Sequence, residues 1–140
     1  MKRMGSRELT GFLDVNEERL LIENDLAGVG WKIESFRVMP HLNEDFPKNG
    51  CVAKLGTDAG LDPNLLNLDG NNILACSVYG TGSVSTIVNM QDLIVDELYI
   101  VNMTNNVNFT SQAINYQLIL GQYEISPEEQ VVAQIKVSQG

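Results

Sequence analysis

Short apolar runs broken by glycine, asparagine and aspartate make up most of this chain. Runs of this kind that are rich in β-branched and aromatic residues are typical of β-strands, and the residues between them are typical of turns. The pattern predicts strands over residues 8–15, 31–40, 51–57, 73–80, 82–90, 92–104 and 114–125. Residues 17–25 form too short a run for periodicity to distinguish a strand from a helical turn.

The alternation of apolar residues changes phase within one of these strands. Trp31 and Ile33 share one face of an extended chain, whereas Phe36 and Val38 share a face in the opposite phase. An extra residue in one strand of a pair produces such a change, so the pattern predicts a β-bulge near residues 34–35.

A helix-start signal follows the last predicted strand. Ser126 is a good N-cap, Pro127 suits the first helical position, and Glu129 completes a capping box with Ser126. We therefore predict a short C-terminal helix over about residues 127–138. We expect its apolar side to include Val131, Val132 and Ile135, with Val137 as a further candidate.

Few segments between the strands have helical periodicity, so parallel βαβ units are disfavoured. An antiparallel β-sandwich is the simplest architecture that remains, and a jelly roll is one form of it. With 140 residues, the chain suits one domain. We place this domain at residues 8–140, after a basic N-terminal arm of residues 1–7.

Several predicted strands are apolar on both faces, as in ILACSVYG at residues 73–80. A sandwich with one face in water does not require this, so the second apolar face is expected to meet the C-terminal helix or another subunit. We predict a homo-oligomer whose interface uses the last strand and the helix. The predicted interface residues are Tyr116, Leu118, Tyr123, Val131 and Ile135.

The chain is acidic, with a formal net charge of −9 and an isoelectric point of about 4.4. Such a charge disfavours contact with nucleic acid or an anionic membrane over most of the surface. The N-terminal arm differs, because it contains Lys2, Arg3 and Arg7 and no acidic residue. It is a candidate for contact with nucleic acid or for a strap between subunits, and a solvated terminus is the alternative.

Residues able to perform chemistry are few. The chain has one histidine, His41, and no Cys-x-x-Cys motif, so a structural zinc site is not expected. Cys51 and Cys76 lie in apolar segments and are predicted to be free, buried thiols. Glu44 and Asp45 lie near His41 in sequence, but no motif indicates a nucleophile.

The loop over residues 58–72 carries side-chain oxygens of the kind that calcium prefers. Its candidate ligands are Asp58, Asp62 and Asp69. The spacing does not match an EF-hand, so an ordinary turn-rich loop is the alternative, and we expect no other cofactor. The sequence shows no signal peptide and no apolar run that approaches the ~20 residues of a membrane span.

Three segments resemble small β-sandwich structural proteins of bacteriophage virions. They are GWKIESFRVMP at residues 30–40, LIVDELYIVN at residues 93–102 and the tyrosine-bearing strand with its capped helix at residues 114–139. The resemblance implies a capsid, decoration, vertex or spike subunit that assembles with itself and with other virion proteins. It also implies synthesis in the host cytoplasm and a final location in the virion, and it assigns no role to any single residue.

Two other functions remain open. A carbohydrate- or receptor-binding β-sandwich would present exposed aromatic residues in a shallow groove and a calcium-bearing loop, with Trp31 and Tyr79 as candidates, although we expect Trp31 to lie in the core. An enzyme built on a jelly roll would place His41 in a pocket beside a carboxylate with a shifted pKa.

Overall fold

The computed structural model describes residues 1–23, 26–41, 50–61, 73–80, 83–88, 93–103 and 112–139. Within these residues the chain forms eight strands and one helix. The strands are β1 (Lys2–Leu13), β2 (Glu18–Glu23), β3 (Val29–Pro40), β4 (Cys51–Gly56), β5 (Ile73–Gly80), β6 (Ser83–Val88), β7 (Glu97–Asn102) and β8 (Ile114–Glu124). The helix is α1 (Pro127–Gln139).

The described strands form two antiparallel sheets. Sheet A has the order β1-β8-β3, and sheet B has the order β2-β7-β4-β5-β6. Inward side chains from both sheets belong to one hydrophobic cluster, so the sheets pack face to face. The predicted antiparallel β-sandwich with a short C-terminal helix is therefore confirmed.

The jelly-roll form of the sandwich is not confirmed. A jelly roll can be drawn as a wound antiparallel ribbon in which the first strand pairs with the eighth, the second with the seventh, the third with the sixth and the fourth with the fifth. The pairs β1–β8, β2–β7 and β4–β5 are present as ladders. Strand β6 instead pairs with β5, and its Thr86 hydroxyl donates a hydrogen bond to the Phe36 carbonyl of β3.

Strand β8 lies at the centre of sheet A and provides a row of inward side chains. Ile114 and Leu118 are fully buried and Tyr116 nearly so, because alternate residues of a strand point to the same face. Phe36 and Val38 of β3 extend this row, since they lie opposite Leu118 and Tyr116. Full burial of an apolar side chain of this size contributes about 1.5–3 kcal/mol.

The bulge predicted in β3 is present. The register of β3 against β8 shifts between Ile33 and Ser35. The shift allows Ile33 and Phe36 both to face the core, although their separation in sequence is odd. The prediction at residues 34–35 is confirmed.

Strands β4, β5 and β7 of sheet B are buried on both faces. Their outward residues Val52, Cys76 and Val101 form a second hydrophobic cluster with Met103 and Leu61. Leu61 lies outside the strands, so the chain itself covers this face. The expectation that the second apolar face meets the helix or another subunit is corrected for these residues, which are already sealed within the monomer.

The predicted basic arm is part of the sandwich. Strand β1 begins at Lys2, and the segment from Lys2 to Arg7 pairs with β8 between Leu120 and Glu124. The prediction of a separate arm over residues 1–7 is therefore corrected, because β8 extends far enough to pair with this segment. Because β1 is an edge strand, its charged side chains discourage pairing with a foreign strand.

Gly11 of β1 lies against the buried ring of Tyr116. A Cβ atom at position 11 would lie 2.6 Å from the Tyr116 hydroxyl oxygen and 2.8 Å from its Cζ. Since the packed core restrains this ring, we expect Gly11→Ala to lower the free energy of unfolding by about 1–3 kcal/mol, the usual cost of overpacking. Urea denaturation measures this change.

Gly5→Ala is the matched control in the same strand, because a Cβ atom at position 5 would have no neighbour within 4 Å. This variant should be neutral or more stable by up to about 1 kcal/mol, since alanine restricts the unfolded chain. Equal stability of the two variants would show that Gly11 is not packed against Tyr116.

Candidate interaction surfaces

Helix α1 presents an apolar face to solvent. Val131, Val132 and Ile135 have 53%, 66% and 50% of their surfaces exposed. Their spacing of one, three and four residues places them on one side of the helix. We call these three residues the helix patch.

The opposite side of α1 packs on the sandwich through a small residue. Ala133 is buried together with Val95 and Ile125. The predicted capping box is present: the Ser126 N–H donates to a Glu129 carboxylate oxygen at 3.1 Å, and the Glu129 N–H donates to the Ser126 hydroxyl at 3.2 Å. This cap sets the position of the first helical turn.

Further contacts set the rotation of the helix. The Gly28 N–H donates to Gln130 Oε1 at 3.3 Å, and the Ile125 N–H donates to the Gly28 carbonyl at 2.9 Å. The N-terminal ammonium of Met1 lies 3.8 Å from Glu129 Oε1. These contacts turn Ala133 toward the protein, so the predicted apolar side of the helix faces away from its own sandwich.

The predicted interface residues divide into two groups. Tyr116 and Leu118 are 6% and 0% exposed, so their assignment to an interface is corrected: the inward face of β8 places them in the core. Tyr123 is half-buried beside the helix. Val131 and Ile135 are exposed, as an interface requires.

A shallow groove of about 550 Å³ crosses the outward face of sheet A. Two adjacent rows of outward side chains line it, each row containing one residue from each of β1, β8 and β3. The first row is Phe12, Asn115 and Met39, and the second row is Thr10, Gln117 and Arg37. We call these six residues the sheet groove.

Apolar and polar groups alternate in the sheet groove. The Phe12 ring makes an edge contact with the His41 ring, at 4.5 Å between centroids and 62° between planes. His41 Nδ1 lies 3.1 Å from Asn115 Oδ1, so the imidazole donates to this oxygen when Nδ1 carries the proton. Gln117 Nε2 donates to Glu8 Oε1 at 3.2 Å beside the groove.

Arg3 bridges sheet A from β1 to β3. Its Nε and Nη2 atoms donate to the two carboxylate oxygens of Glu34 at 2.8 and 2.7 Å. The pair crosses over Gly121 of β8, where a Cβ atom would lie 2.5 Å from Glu34 Oε2. Glycine therefore allows this bridge over the central strand.

The ion pair shifts the titration of both partners. The hydrogen bond from Arg3 lowers the pKa of Glu34, and the same bond raises the pKa of Arg3. Arg3 is therefore already paired with an acidic side chain. Nucleic-acid contact through Lys2, Arg3 and Arg7 stays a prediction.

The predicted calcium ligands are described in part. Asp58 is exposed, whereas Asp62 and Asp69 lie outside the described residues. Across the part of the chain that the structure describes, no group of three or more His, Cys, Asp and Glu residues is placed to hold a metal ion. The partner of His41 is Asn115, and Glu44 and Asp45 also lie outside the description.

Cys51 and Cys76 are free and buried, which confirms the prediction for both thiols. Burial raises the pKa of Cys51 to about 12. It raises the pKa of Cys76 to about 11, although the nearby Lys54 charge acts in the opposite direction. Both thiols are therefore protonated at neutral pH and are unsuited to nucleophilic chemistry.

The aromatic residues proposed for a binding groove lie elsewhere. Trp31 and Tyr79 are 7% and 6% exposed and belong to the main core cluster, so the expected core position of Trp31 is confirmed and neither residue is exposed for a binding groove. None of the six residues of the sheet groove was predicted from the sequence to belong to a site. A signal existed, because strict alternation from the inward-facing Leu13 places Phe12 outward.

No protein-family model matches the chain, and no curated protein is similar to it in sequence. Within the described residues, no helix is long and apolar enough to cross a membrane.

The Arg3–Glu34 pair predicts a specific pH dependence of stability. Since the pKa of Glu34 is lower in the folded than in the unfolded chain, the pair stabilises the fold above the unfolded pKa, and this stability is lost as the pH falls through the folded pKa. We expect Glu34→Gln to reduce thermal stability slightly at neutral pH, because both side chains are partly exposed.

Melting curves of Glu34→Gln and the parent protein should converge in acid. Glu124→Gln, at an exposed carboxylate at the end of β8, controls for the change in net charge. A stability difference for Glu34→Gln that persists unchanged below the folded pKa would argue against the ion pair.

Proposed function

We propose that this protein is a non-enzymatic structural subunit of a virus particle, and that it works by associating with copies of itself and with other particle proteins. The observation that carries the proposal is the helix patch. Three large apolar side chains on one helix face, all half-exposed or more, form a patch at the lower end of the size range in which surface patches are often functional.

The size of the helix patch determines the kind of association. Three side chains of this size expose on the order of 300 Å², whereas a stable pairwise interface needs about 800 Å² per partner. Contact through the patch alone is therefore weak. Weak contacts suit a particle, where each subunit has several neighbours and many such contacts act together.

A second copy of the chain is the occupant that we propose for the helix patch. The patch is apolar, while the chain as a whole carries a net charge of −9. Two copies therefore repel over most of their surfaces and can approach most favourably where no charge has to be buried. A two-fold arrangement would place one patch on the other.

The strand pairing supports the particle role by analogy of architecture. Three of the four ribbon pairs of a jelly roll are present as ladders, and β6 contacts β3, its partner in the fourth pair. Jelly rolls occur in viral capsid proteins, although also in lectins and cupins. The segments that resemble phage virion proteins lie in β3, β7 and the β8–α1 unit.

Sedimentation velocity tests the association. We expect the weight-average sedimentation coefficient of the parent protein to rise with concentration, and we expect Val132→Glu to remain monomeric at the same concentrations. Burying an unpaired carboxylate in the contact is costly enough to abolish a weak association.

Val15→Glu is the matched control, because it makes the same substitution at an exposed turn position outside α1. This variant should associate nearly as the parent does. A parent protein that stays monomeric up to its solubility limit, or equal loss in both variants, would refute association through the helix patch.

The particle assignment has a separate test. Peptides of this chain should be found by mass spectrometry in purified particles of the virus that encodes it, and its gene should lie among capsid or packaging genes. A gene placed among metabolic genes, with no peptide in particles, would exclude the particle role without affecting the association result.

A further inference from the structure

The sheet groove has the construction of a ligand site. Its six side chains come from three neighbouring strands in two registered rows. Rows on one face of a strand lie about 7 Å apart, and three strands span about 10 Å. A volume of about 550 Å³ lies within the range of small-molecule sites.

The charge of the groove is opposite to that of the whole chain. Arg37 lies in the groove and is exposed, and no ion pair engages it within the described residues. No lining residue is acidic. The Glu8 carboxylate lies beside the groove, on β1 while Arg37 lies on β3, and it accepts the hydrogen bond of Gln117.

The apolar and polar groups match the two sides of a sugar ring. Phe12 is 39% exposed and lies in the same row as Met39, and an aromatic ring suits the C–H face of a pyranose. The second row offers a hydroxyl and an amide, from Thr10 and Gln117, which suit sugar hydroxyls. Aromatic contact combined with planar hydrogen-bonding groups is a usual basis for such recognition.

The His41–Asn115 contact orients the remaining amide. When His41 Nδ1–H donates to Asn115 Oδ1, the Nδ2 group of Asn115 keeps two donors for a ligand. His41 also supports Phe12 from the side. These contacts hold two groove residues in place before any ligand binds, which lowers the entropic cost of binding.

We propose that the sheet groove binds a sugar that carries a carboxylate. Arg37 pairs with the carboxylate through two parallel N–H···O bonds, Phe12 contacts the apolar face of the ring, and Gln117 and Asn115 contact its hydroxyls. This site is independent of the helix patch and of association.

Ligand-observed and protein-observed NMR titrations test the proposal, since they detect weak binding. The probes are sialyllactose, an oligogalacturonate and neutral lactose, so that a carboxylate on the anomeric carbon is distinguished from a uronic acid. We expect one acidic sugar to bind with shifts at the amides of Thr10, Asn115 and Gln117, and lactose to bind at least tenfold more weakly.

Two variants test the roles of the groove residues. Arg37→Gln should weaken binding of the acidic sugar roughly tenfold or more, since it removes the charged hydrogen bonds. Arg7→Gln, an exposed arginine of β1 outside the groove, is the matched control and should not change binding. Phe12→Ala should weaken binding of all probes, and Phe12→Tyr should restore it.

Several outcomes would overturn the proposal. They are the absence of binding by either acidic sugar, equal binding of lactose, shifts confined to residues outside the groove, and equal binding by Arg37→Gln. Binding of an acidic peptide in place of the sugars would assign the groove to a protein partner instead. Circular dichroism of each variant confirms that a loss of binding does not reflect unfolding.

Discussion

The pairing of β8 with β1 on one side and β3 on the other is the constraint on which the rest of the structure depends. The inward row of β8 closes the core over sheet B, and its outward row forms the floor of the sheet groove. Strand β8 ends just before Ser126, where the capping box begins α1. Because one strand performs all three tasks, a change in its register would reverse the two faces and remove core, groove and helix attachment together.

Burial decides which surfaces remain for function. The apolar outward face of β4, β5 and β7 is sealed by the chain itself, so continuous apolar strands do not by themselves indicate a partner. Edge strand β1 carries basic side chains, and Arg3 is bonded to Glu34 across the sheet, which opposes strand addition at this edge. The helix patch is therefore the surface that we propose for association, and the sheet groove is the one that we propose for ligand binding.

The sequence was sufficient for the elements that local rules determine. Alternation and β-propensity predicted the strands other than β2 and the first part of β1, together with the bulge in β3, and cap chemistry predicted α1. The rotation of α1 was not predictable, because it depends on Gln130 reaching the backbone of Gly28, more than a hundred residues away in sequence. The groove was missed for a similar reason: Phe12, Asn115 and Met39 become neighbours only through the register of three strands. Trp31 was expected in the core and lies there, but its residue type alone could not exclude a binding platform, since an aromatic residue suits both settings.

The two surfaces lie at opposite ends of sheet A. Asn115 in the groove is near the start of β8, and α1 begins just beyond its end at Glu124. An extended strand of this length spans about 30 Å, so one surface can be covered while the other stays open. A subunit held to its neighbours through the helix patch would still present the sheet groove to a ligand. This separation makes assembly and ligand binding compatible in one small domain, whereas a groove at the helix end would force the two to compete.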